Sequence, residues 1–142
     1  MKRDGAFLFI FSVAKQFTLG KKERLKSRKQ TEQLFSEGKK FTLAPFRIYY
    51  LFGKDNNILL QFGTGVSSKL FKKAVHRNRV KRLIREAYRL QKIILQDKLE
   101  EQNIQLNLFF IYTGKELPEY KEVYDKTGKV LDKLCVIANE IK

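Results

Sequence analysis

The chain has 142 residues, 43% of them apolar, and carries thirty Lys and Arg against fifteen Asp and Glu, a formal charge of +15. That length supports one domain with its own core, and that apolar share excludes a disordered basic tail. A charge so far from zero opposes compaction until a polyanion neutralises it, so nucleic acid is the expected partner ahead of an anionic membrane surface.

The first residues, "MKRDGAFLFIFSVAKQ", join two bases to an apolar run from Ala6 to Ala14 with a small-residue ending, a pattern similar to a short signal peptide. Asp4 stands where such peptides favour positive charge, and the run is too short to cross a bilayer. Residues 1–16 are therefore expected to be an N-terminal extension or the product of a misplaced start. Met1 is the sole methionine, so a later start would need a non-standard codon, with Val13 one candidate. Residues 17–142 are expected to form a single RNA-binding domain, cytoplasmic and without a membrane partner.

Ser27 and Gln30 read as a capping box that opens a short helix ending at Gly38, with Leu34 and Phe35 packed inward. From Phe41 to Phe52 the chain alternates as a strand does. Phe46, Ile48, Tyr50 and Phe52 fall on the core face, and Arg47, Tyr49 and Leu51 on the other. Lys54 to Asn57 supply turn chemistry, which predicts a hairpin into a second alternating strand over residues 58–66. A long helix is predicted from about residue 71 to Gln96, then an almost continuous apolar strand at 104–112, central in the sheet. Pro118 opens a last helix with an apolar stripe at Val123, Val130, Leu134, Ile137 and Ile141. The predicted order is α-β-β-(β)-α-β-α, an α+β sandwich in which helices cover one mixed sheet. Cys135 is alone among apolar neighbours and reads as a small buried hydrophobe.

The charge is concentrated. Residues 71–92, "FKKAVHRNRVKRLIREAYRLQK", hold nine bases and one acid, Glu86. Stepping about 100° per residue puts Val80, Leu83, Ile84, Ala87, Gln91, Ile94 and Leu95 on one arc. Asn78, Lys81, Arg82, Arg85, Arg89 and Lys92 share another. Like charges four residues apart repel, by a few tenths of a kcal/mol per pair, and a helix shaped for stability alone would alternate sign. The stripe therefore reads as a binding face. Arginine forks grip phosphate in a bidentate way, and Tyr49 beside Arg47 offers base stacking. A helix does not fit the narrow major groove of A-form RNA, so single-stranded or irregular RNA suits this face best, although composition alone leaves duplex DNA open. A catalytic set is missing: His76 is the sole histidine and reads as a polar residue at the helix boundary. The basic region contains no metal-ligand spacing and no carboxylate pair, so no catalytic and no metal-binding residue is assigned.

Arg77-Asn78-Arg79 followed by "VKRLIREAY", with "KKERLKSRKQTEQLFSEGKKF" upstream and "FRIYYLF" after it, resembles the bacterial ribonuclease P protein subunit over roughly residues 17–140. The resemblance implies an α/β sandwich with a left-handed crossover. It also implies two RNA partners, the catalytic RNA of ribonuclease P and the 5′ leader of precursor tRNA. Phe35, Arg47 and Tyr49 would line the leader cleft, with Arg77, Asn78, Lys81 and Arg85 along its helical wall. The RNA-binding set as a whole would comprise Arg24, Lys72, Lys73, Arg77, Asn78, Arg79, Lys81, Arg82, Arg85 and Arg89. Hydrolysis, which removes the leader and matures the tRNA 5′ end, would use Mg2+ held mainly by the RNA. Two departures bear on the cleft: Thr31 stands where many members have an aromatic, and Lys72-Lys73 where many have Gly-Asn. A ribosomal or general single-stranded RNA-binding protein is the competing reading, and a secreted or membrane-surface cationic protein the third.

Overall fold

The computed structural model describes residues 23–25, 27–53 and 59–141. The signal-peptide reading of residues 1–16 and the turn at residues 54–57 lie outside them. The elements run as helix α1 (Arg28–Glu37), strands β1 (Lys39–Leu43), β2 (Phe46–Gly53) and β3 (Leu60–Val66), helix α2 (Ala74–Gln102), strand β4 (Gln105–Tyr112) and helix α3 (Tyr120–Glu140). This is the expected α+β order, with one mixed four-stranded sheet and helices against it.

Helix α1 starts where its cap predicts. The Ser27 hydroxyl accepts from the Gln30 amide at 3.4 Å, and the Gly38 amide closes the last turn on the Leu34 carbonyl. Leu34 is fully buried but Phe35 is 42% exposed, so only one of the two residues predicted to pack inward does so. The predicted strand 41–52 divides into β1 and β2 around Ala44-Pro45, a cis peptide, because Pro45 has no N–H to give to a ladder.

The strand order is β1-β2-β4-β3. Strand β4 is central, as predicted. The hairpin between the second and third strands does not form, because β4 lies between them, antiparallel to β2 and parallel to β3. The physical reason is side-chain content. Leu106, Leu108, Phe110 and Tyr112 are all buried on β4, which profits most from neighbours on both edges. Strand β3 carries Gly63 and Gly65 and takes the less covered position. Its outer edge is met by Arg24, which forms a bridge with Phe62, and by the Leu25 amide, 2.8 Å from the Phe62 carbonyl.

The even-numbered apolar residues of the three longer strands form one core with α2 and α3. Helix α2 runs six residues beyond the predicted Gln96, since Leu99 is still buried and Asn103 then ends it in the left-handed region at φ 53. The helix is also rolled toward β3 relative to the predicted arc. Tyr88 is buried and stacks flat on Phe62, with ring centroids 3.9 Å apart, while Ile94 is 62% exposed. Helix α3 buries Val123, Thr127, Val130, Leu131, Leu134 and Ala138, two residues past a buried Pro118. Cys135 packs half-buried against this core, where burial raises its thiol pKa, as an unreactive hydrophobe requires.

Candidate nucleic-acid interface

The cations of α2 divide by direction. Its first turn carries no acid, and its N-cap, Lys73, makes no side-chain cap bond. Positive side chains therefore add to the positive end of the helix dipole, an arrangement unfavourable until an anion arrives. Lys72, Lys73, Asn78, Arg79, Arg82 and Arg85 are exposed, and Arg77, Lys81 and Arg89 are half-buried. Arg77 also has a structural task. One guanidinium nitrogen donates to the carbonyls of Phe71 at 2.7 Å and Lys72 at 2.8 Å, which closes the turn into the helix where Lys72-Lys73 stands. Arg89 donates through Nε to Glu86 at 3.1 Å, and this bond raises its pKa and lowers that of Glu86.

Lys92 leaves the stripe altogether. Its side chain is 1% exposed, and its ammonium donates to Glu23 Oε1 at 2.8 Å. The roll of α2 toward β3 carries this position inward, which a reading of charge as solvent-facing could not anticipate.

The open face of the sheet holds an aromatic floor. Phe35 of α1 meets Tyr49 of β2 edge-on at 4.8 Å between centroids, and Phe109 of β4 at 5.1 Å. Arg47 is exposed two residues before Tyr49 on the same face. Phe109 was hidden in the sequence by the continuous apolar run of β4. The signal that could have found it is the Gly63/Gly65 pair, because a Cβ at Gly63 would stand 2.7 Å from the Phe109 ring. Thr31, the expected gap in stacking, turns its hydroxyl back to the Ser27 carbonyl at 2.9 Å.

The floor and the helix meet in a cleft of about 260 Å³ lined by Arg24, Leu25, Phe62, Gly63, Thr64, Arg85 and Phe109. Partial burial, and then repulsion from Arg24 and Arg82, lowers the pKa of Arg85. Two arginines that repel one another in one cleft, Arg24 and Arg85, offer an anion more than they offer each other. The Thr64 hydroxyl is buried and has no hydrogen-bond partner among the described residues. By helical spacing, Asn78, Lys81 and Arg85 flank the edge facing β3, whereas Arg89, Arg82 and Arg79 stand roughly 40°, 60° and 120° further outward than Arg85. The structure thus joins Arg24 and Arg85 to Phe109 of the aromatic floor, while Arg89, Arg82 and Arg79 stand progressively further round the helix and Lys72-Lys73 lie at its start.

Among the described residues no three His, Cys, Asp or Glu stand close enough to hold a metal ion, and no helix is long and apolar enough to cross a membrane.

The family model Ribonuclease P matches residues 19–135. A "Ribonuclease P protein component" from Porphyromonas gingivalis strain W83 is 42% identical over 120 residues, covering 84% of this chain and 88% of the relative. Among solved structures, the RNase P protein from Thermotoga maritima superposes with a TM-score of 0.62 at 26% identity, covering 78% of this chain and 96% of that one. The Staphylococcus aureus RNase P protein, at 21% identity and a TM-score of 0.63 over 79% of this chain and 94% of that one, shares the fold.

Proposed function

This chain belongs to the ribonuclease P protein family, the protein component of a tRNA-processing endoribonuclease, and from that premise we propose that its two basic surfaces hold two RNAs. The cleft of Arg24, Arg85, Thr64 and the Phe35/Tyr49/Phe109 floor takes the single-stranded 5′ leader of precursor tRNA. The outer surface of Lys72, Lys73, Arg79, Arg82 and Arg89 takes the catalytic RNA. The observation that carries this division is the joining of an aromatic floor to mutually repelling arginines in one cleft. Stacking there tolerates any base, and guanidinium groups track the phosphates, as a leader of variable sequence demands.

Catalysis belongs to the RNA in this reading. A face built of arginine and lysine repels a divalent cation, so Mg2+ is held by RNA phosphates, and the chain contributes by neutralising charge and holding the leader in line. The place of work is the cytoplasm, where precursor tRNA is made. Family membership does not favour the general RNA-binding alternative.

Sequencing the RNA that co-purifies with the chain tests the proposal. One dominant structured RNA of the ribonuclease P type is expected, whereas ribosomal RNA or an unselected mixture would contradict it. A second expectation concerns the floor. Tyr49→Ala weakens binding of a precursor tRNA by about 1–3 kcal/mol while leaving the slope of log affinity against log salt unchanged, because it removes stacking and no phosphate contact. A changed slope would show that Tyr49 acts through the charges around it.

A further inference from the structure

Lys92 is buried where a leucine or methionine would serve stability as well, since a buried ion pair gains little over apolar side chains of similar volume. The pair has a location that such residues could not supply. Glu23 Oε1 accepts from Lys92 Nζ at 2.8 Å and from Gln96 Nε2 at 3.1 Å, so two side chains one turn apart on α2 hold one carboxylate. The next residue is Arg24, and the next, Leu25, ties to Phe62 by its amide. Arg24 is thus held on the edge of β3, in the cleft it shares with Arg85, although the two guanidinium groups repel.

We propose that Glu23, Lys92 and Gln96 form a latch that keeps Arg24 beside Arg85 against their mutual repulsion. Lys92 is then a positioning residue for phosphate binding, although it touches no phosphate itself. The inference rests on the reading that Arg24 and Arg85 grip RNA phosphate. The latch faces α2 with its carboxylate and the cleft with the neighbouring guanidinium, so one short segment converts a buried ion pair into a fixed cation at the surface.

The test uses the full chain and a labelled single-stranded RNA twelve-mer. In the wild type, Arg24→Ala lowers affinity about fourfold at 0.15 M salt, the size expected for one phosphate contact. In a Lys92→Met background, which fills the same space and removes the ammonium from Glu23, the same Arg24→Ala change costs less than about twofold, because Arg24 is held less firmly. An equal loss in both backgrounds overturns the latch. Hydrogen exchange at the Leu25 amide gives a readout without RNA. Lys92→Met lowers its protection while leaving the amides of Ile84 and Leu95 protected, and unchanged Leu25 protection overturns the latch. Should the wild type fail to bind the twelve-mer while Leu25 protection still falls, the RNA reading is lost and the mechanical latch stands. If Lys92→Met does not fold, Gln96→Ala removes one of the two ties and is expected to change both readouts in the same direction.

Discussion

Replacing Arg24, Lys81 and Arg85 together by alanine lowers the affinity of the chain for single-stranded RNA by about fiftyfold at 0.15 M salt. Each cation that neutralises one phosphate releases about 0.7 counterions from a single strand, which at this salt concentration is about fourfold in affinity. Three such contacts multiply to the figure given, and the slope of log affinity against log salt falls by about two units. The core tolerates the change. Arg24 and Arg85 are exposed and Lys81 is half-buried, so no core contact is removed. Loss of the mutual repulsion around Arg85 should, if anything, stabilise the free chain. A melting temperature that rises or holds while RNA binding collapses is the expected pair of results. Retained affinity with an unaltered slope would place RNA elsewhere on the surface.

Glu23→Ala is expected to destabilise the fold by about 3 kcal/mol, the scale for removing one partner of a buried ion pair. Lys92 is 1% exposed and cannot reach water without opening the contact between α2 and the 23–25 segment. Lys92→Met is expected to be close to neutral, since the Glu23 side chain is 26% exposed and can rehydrate. The asymmetry between the two variants in urea denaturation is the diagnostic feature. Equal and small effects would mean that the ammonium finds water or another acceptor when Glu23 is gone.

Much of this fold is written in local pattern. Ser27 and Gly38 bound α1, and the alternation through Phe46, Ile48 and Tyr50 places the core face of β2. What local pattern lacks is the identity of neighbours. Turn residues after β2 predict a hairpin, yet β4 enters the sheet from more than forty residues away in sequence, because pairing is decided by which strand gains most from central burial. The same blindness accounts for Lys92 and Phe109. A lysine on a basic helix reads as solvated until its helix is seen to roll toward Glu23, and an aromatic in an apolar run reads as core until glycines on the next strand make room for it on the open face. Arg77 shows the reverse. It stands in the motif that identifies the family, and the structure gives it a second task in closing the turn at Phe71 and Lys72.

The division of labour between RNA and protein is tested most directly by cleavage of precursor tRNA at low magnesium, by the ribonuclease P RNA of the same organism with and without this chain. The chain is expected to raise the rate or the substrate affinity, and to raise it most when magnesium is too scarce to screen the two RNAs from each other. Cleavage with the same rate and affinity in its presence and absence would contradict the assignment.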